Sequence, residues 1–144
     1  MDNSKAYEQA CNTARHYSNL SSILRIASLA QGIILAGIWV GAFKEHDQFI
    51  QILVSLFGFL LTWLLYNYYR GYMFAWQSFY TSAAKLEEEL FGENARPVSN
   101  YLNLRAVRYK NLYSRITILY APYTLIGLFF IVAFLVSVLK YPYY

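Results

Sequence analysis

Two uninterrupted apolar runs decide what this chain can fold into. Phe49–Tyr68, FIQILVSLFGFLLTWLLYNY, and Ile116–Leu139, ITILYAPYTLIGLFFIVAFLVSVL, contain no Lys, Arg, Asp or Glu. A helix needs roughly 20 mostly apolar residues to cross hydrocarbon, and each run is that long. A third stretch, Ile26–Phe43, IASLAQGIILAGIWVGAF, is shorter and softer but also uncharged. Composition agrees: of 144 residues, 58% are hydrophobic and 14% charged, more apolar surface than a soluble domain of this size can bury. The expected class is an all-α integral membrane protein with three transmembrane helices. About 25 largely polar residues precede the first span, with no short apolar core and cleavage site near Met1, so this segment does not read as a signal peptide.

Basic residues in short loops fix orientation. Lys5, Arg15 and Arg25 precede the first span, and Arg70, Lys85, Arg96, Arg105, Arg108, Lys110 and Arg115 lie between the second and third. That is ten of the twelve basic residues. Residues 44–48, KEHDQ, offset Lys44 with Glu45 and Asp47, and the tail after Leu139 carries only Lys140. The expected topology therefore places the N-terminus and residues 69–115 in the cytoplasm and the C-terminus outside. Tyrosines flanking the spans fit an interfacial aromatic belt.

The segment after the second span is patterned. Tyr69, Tyr72, Met73, Trp76, Phe79, Tyr80, Ala83, Leu86 and Leu90 recur at helical spacing, and no stop appears before Gly92. This predicts one helix of about 40 residues, half spanning and half projecting as a stalk. GENARP turns the chain, Pro97 ends any helix before it, and Ser99 can cap a returning helix from Asn100. The four expected segments are an amphipathic cytoplasmic helix (1–25), a transmembrane hairpin (26–68), a cytoplasmic helical-hairpin stalk (69–115), and the third span with a short external tail (116–144). An aromatic stripe of that size marks an interface, so a homo-oligomer is expected, with a tetramer as the working number.

On the returning helix, Arg105, Arg108 and Arg115 fall within an arc of about 80°, and Tyr101 shares it. Guanidinium suits phosphate, and aromatic faces suit stacking on bases. Three readings stand open: a surface for anionic lipid heads, a site for a nucleotide or oligonucleotide, and salt bridges to Glu87–Glu89 and Glu93. The second span carries a polar seam, Gln51, Ser55, Gly58 and Thr62, at steps of four, three and four. It serves either helix packing or a pore wall. The first span has small residues on two stripes, Ser28, Gly32 and Ala36, and Gly37-x-x-x-Gly41, with Gln31 its one strongly polar residue. Pro122 is expected to kink the third span.

No catalytic or metal-binding pattern stands out. His16 and His46 fall on opposite sides of the membrane, no paired Cys or His spacing appears, and neither a phosphate loop nor a nucleophile elbow is present. The glutamates of LEEEL (86–90) are expected to form a solvated face. Cys11 is the single cysteine, so it has no internal disulfide partner. No ionisable residue sits deep in a span, against a proton-coupled transporter. An enzyme is not expected, and no cofactor is implied.

An N-terminal amphipathic helix, a transmembrane hairpin and a cytoplasmic helix with AAKLEEEL (83–90) together resemble the small membrane effectors of bacterial anti-phage defence. The SLATT-type proteins are one such group and the channel subunit of the Hailong system another, and the resemblance covers roughly residues 1–95. The third span departs from the two-span SLATT arrangement. The resemblance implies an oligomeric pore in the inner membrane, gated by a nucleotide-type or single-stranded oligonucleotide signal from a partner nucleotidyltransferase. Opening would depolarise the cell. On that reading Gln51, Ser55, Gly58 and Thr62 line the conduit, and Arg105, Arg108, Arg115 and Tyr101 bind the ligand. Two rivals keep the same topology: a non-conducting scaffold that recruits a cytoplasmic partner, and a holin-like lesion former that needs no ligand.

Overall fold

The computed structural model describes residues 3–92, 98 and 120–139. Three helices account for nearly all of them: α1, Asn3–Lys44; α2, Gln48–Phe91; and α3, Ala121–Leu139. All three are long and apolar enough to cross a membrane. The expected returning helix from Asn100, the turn at Pro97, and the external tail lie outside the described residues.

The 42 residues of α1 form one helix, so no break separates the N-terminal segment from the first span. Nothing between Leu20 and Ile26 forces one. Ser21 and Ser22 donate their hydroxyls back to the Ser18 carbonyl at 2.8 and 3.1 Å, which satisfies those groups inside the helix. The helix ends in a Schellman-type turn, the Asp47 N–H donating to the Ala42 carbonyl at 2.9 Å. His46 supplies the left-handed residue, at φ 60°, a conformation His tolerates better than most non-glycine residues. Asp47 then caps α2, its Oδ1 accepting the Ile50 N–H at 3.0 Å. Three residues thus reverse the chain.

The 44 residues of α2 run without interruption to Phe91. Gly92 ends the helix at φ 69° and donates its N–H to the Glu88 carbonyl at 3.3 Å, the single-bond left-handed cap. Along α2, Gln51, Ser55, Gly58, Thr62, Leu65, Tyr69, Tyr72, Trp76, Phe79, Ala83, Leu86 and Leu90 step alternately by four and three, and none of them is exposed. The polar seam and the aromatic stripe are one seven-residue repeat in a single frame. On α1 the same rhythm holds through Tyr7, Ala10, Ala14, Tyr17, Ser21, Leu24, Ser28, Gln31 and Leu35, again with none exposed. This is the pattern of helices that meet along a seam.

Close packing divides the chain into two units, Met1–Ile23 with Tyr69–Ile118, and Leu24–Tyr68 with Leu119–Tyr144. In the first, small residues of α1 (Ala10, Ala14, Ser21) and large ones of α2 (Tyr69, Trp76) are all buried. Tyr17 stacks on Phe79 at 5.7 Å, and Tyr7 meets Phe91 edge-on at 5.8 Å. The glutamates here do not form the solvated face expected of LEEEL. Glu88 and Glu89 are exposed, but Glu87 is fully buried. Its two carboxyl oxygens each accept the Val98 N–H at 3.2 Å, and Oε1 accepts the Tyr7 hydroxyl at 3.3 Å. Of the three glutamates only Glu87 stands one turn beyond the buried Ala83, so the helix carries it inward.

The second unit is a three-helix bundle. Gln51 reaches the Ala42 carbonyl at 3.2 Å, Gln48 reaches the Ser137 carbonyl at 3.1 Å, and Tyr66 meets Tyr120 at 5.5 Å. These contacts make α2 antiparallel to both α1 and α3. Polarity is inverted relative to a water-soluble bundle. Ser28, Gln51, Ser55, Thr62 and Ser137 are buried, whereas Ile33, Phe49, Leu125 and Leu139 are two-thirds exposed or more. This is the arrangement expected of a bundle in hydrocarbon, which gives no reason to hide apolar side chains, so that small or polar ones bring helices together instead.

Candidate functional site

Gln51, Ser55, Gly58 and Thr62 all lie on the inward face of α2 in the second unit, and a single copy of the chain covers them. The hydroxyls turn back on their own helix, Ser55 to the Gln51 carbonyl and Thr62 to the Gly58 carbonyl, both at 2.7 Å. Such bonds leave little cost for burying a hydroxyl. Gln51 is different. Its amide nitrogen is bonded, but its Oε1 is buried with no partner, at a cost of about 1–3 kcal/mol.

Of the glycines, Gly58 is the most tightly covered. A Cβ built there would stand 2.6 Å from the Phe130 ring, and Phe130 is wholly buried. Gly32 does the same for α1, since its Cβ would meet Ile126 at 2.9 Å. In contrast, nothing lies within 4 Å of a Cβ at Gly37 or Gly41, and both are exposed. The two small-residue stripes of the first span thus divide, one spent inside the bundle and one left on its outside. At the other end of the bundle, Ser137 gathers three bonds. It donates to the Ala133 carbonyl at 2.7 Å, accepts the Trp39 indole N–H at 3.1 Å, and lends its carbonyl to Gln48.

Between α2 and α3 runs an open groove of about 260 Å³, walled by Phe59, Thr62, Trp63, Tyr66, Tyr123 and Leu128 among others. It is apolar along most of its length, and Thr62 joins it to the seam. Pro122 falls in the first turn of α3 as described. There its missing N–H costs nothing within the segment, and the kink expected of it depends on residues outside the described ones.

Arg105, Arg108, Arg115 and Tyr101 also lie outside the described residues. Among the described residues, no group of three His, Cys, Asp or Glu side chains could hold a metal ion. Sequence reasoning missed Glu87, Phe130 and the Trp39–Ser137 contact. Only Glu87 had a local signal, its phase relative to Ala83. The other two depend on how α3 docks, which no periodicity records.

Comparison with protein-family models, curated proteins and solved structures returns no match. What stands is the class. Among its described residues the chain is all-helical, with three helices long and apolar enough to cross a membrane. It is compatible with a multi-pass membrane protein.

Proposed function

We propose that the chain is the subunit of an oligomeric membrane pore, an ion-channel effector gated by an anionic nucleotide or single-stranded oligonucleotide. It would act in bacterial defence by depolarising the inner membrane, with the N-terminus and residues 69–115 in the cytoplasm. The observation that carries this reading is the polar face of α2: Gln51, Ser55, Gly58 and Thr62 in one frame through an otherwise apolar span. Once the helices part, such a face offers water and ions a polar wall. The outward Gly37 and Gly41, with open space over both, supply a close-approach surface for neighbouring copies. In the described packing the seam is covered, so conduction requires the helices to part or turn. Arg105, Arg108 and Arg115 are assigned to the ligand through charge and helical phase. A ligand shifts such an equilibrium only by binding one state better than the other.

One observation favours a second reading, the non-conducting scaffold. The seam hydroxyls are satisfied on their own helix, and packing alone accounts for them.

Ion flux from vesicles loaded with purified protein separates the readings, with and without nucleotides and short oligonucleotides. The pore reading expects flux that one of these ligands switches, lost in the Arg105→Glu, Arg108→Glu double variant. Flux indifferent to every ligand points to a lesion former, and silence in all conditions to the scaffold.

A further inference from the structure

The second unit contains a polar layer that the α2 seam does not account for. Gln31 sits on the inward frame of α1, and both its amide atoms are buried without a hydrogen-bond partner. One turn before it, Ser28 is fully buried, and its hydroxyl also has no partner. A primary amide carries two donors and an acceptor with two lone pairs. Burying one with none of them used is among the costlier things a span can do.

Register shows what stands beside it. The Gln51 amide bonds the Ala42 carbonyl. Counting eleven residues back from Ala42 gives Gln31, and counting eleven forward from Gln51 gives Thr62. In an antiparallel pair these two are level. The third helix agrees independently: a Cβ at Gly32 would meet Ile126, and one at Gly127 would stand 4.0 Å from Thr62 Cγ2. Residues 31–32 of α1, 62 of α2 and 126–127 of α3 therefore form one cross-section. Gly32 lies in that section, and the Ile126 side chain packs into the space its missing Cβ leaves. The Thr62 hydroxyl is already committed to the Gly58 carbonyl and does not relieve the amide.

We propose that Gln31, with Ser28 beside it and Thr62 level with it, forms the closing layer of the pore. This rests on the pore reading above and adds a helix to it, because the sequence seam assigns the conduit to α2 alone. The described packing is the closed arrangement, and it holds the Gln31 amide unsatisfied. Parting the helices at this cross-section gives the amide and the Ser28 hydroxyl to water and to passing ions. Closed and open states then differ by hydrogen bonds made only in the open one. That difference is what a gate needs if a weak signal is to move it.

The test reconstitutes wild type, Gln31→Leu, Gln31→Asn and the outward control Ile33→Ala in vesicles at matched density. Ion flux, with and without nucleotides and short oligonucleotides, and the thermal midpoint of each purified protein are then compared. Leucine keeps the bulk and removes the orphaned amide from the closed state. The expected result is a flux lowered by about tenfold in Gln31→Leu with a raised thermal midpoint. Gln31→Asn keeps most of the flux, and Ile33→Ala matches wild type. Conducting wild type with equal or greater flux in Gln31→Leu overturns the layer while leaving the pore standing. Lost flux with a lowered midpoint also overturns it, because the amide would then be holding the bundle together. A wild type silent with every nucleotide and oligonucleotide tried removes the pore reading and the layer with it.

Discussion

At the residue scale, the Tyr7–Glu87 contact joins the start of α1 to the end of α2. Glu87 is buried and accepts from Tyr7 and from the Val98 backbone. The Tyr7 hydroxyl is pushed up to about 12, first by burial and then by its contacts with Cys11 and Glu87. Its ordinary value is 10.0. The folded state therefore holds the Tyr7 proton more tightly than the unfolded state does. This contribution to stability is intact below pH 10 and is lost as pH rises from there toward 12. Thermal midpoints followed across that range should fall for wild type, and Tyr7→Phe should fall less. Parallel curves for the two proteins would remove Tyr7 from the explanation. The identity of Glu87 as a buried group was readable in its phase, yet three adjacent glutamates suggest water. Composition argued one way and helical geometry the other, and geometry won because a single turn fixes which of three neighbours points inward.

At the scale of elements, the bundle depends on where α3 can approach. The Phe130 ring occupies the space a side chain at residue 58 would need, with a built Cβ only 2.6 Å away. Gly58→Val should therefore force α3 outward and cost about 1–3 kcal/mol, seen as a lower melting temperature in detergent. Adding Phe130→Leu should recover part of that loss. Recovery separates a local clash from any intrinsic cost of valine in the helix. Substitution at Gly37, where a Cβ meets nothing, should leave the isolated bundle unaffected. The glycines look alike in sequence. Gly32 and Gly58 are packing sites and Gly37 is not, and the distinction comes only from the helix that lies against them. The seven-residue repeat on α2 was legible throughout, since its positions from Gln51 to Leu90 need only counting. It reads as two features because its residues change from polar to aromatic near Leu65, which disguises a constant phase.

At the scale of the whole molecule, the side chains that face out are those suited to hydrocarbon. Ile33 and Phe49 are each 74% exposed while Ser28, Gln51 and Ser55 are wholly buried. Salt and urea washes should leave the protein in the membrane pellet, with detergent needed to release it. Release by salt alone would contradict the inverted bundle. The sequence by itself determined the all-helical class, the three helices among the described residues that are long and apolar enough to cross a membrane, the tight turn after Lys44, and the end of α2 at Gly92. These are local properties: span length, helical period and backbone preference act within a few residues of one another. It also named the polar seam correctly as a face, without saying what covers it. Only the tertiary structure decided that Gly58 and Thr62 of the seam lie against α3, that Glu87 is buried against Tyr7, and that Gln31 stands level with Thr62. Those facts join residues dozens of positions apart, and they follow from how helices dock rather than from how any one of them is written.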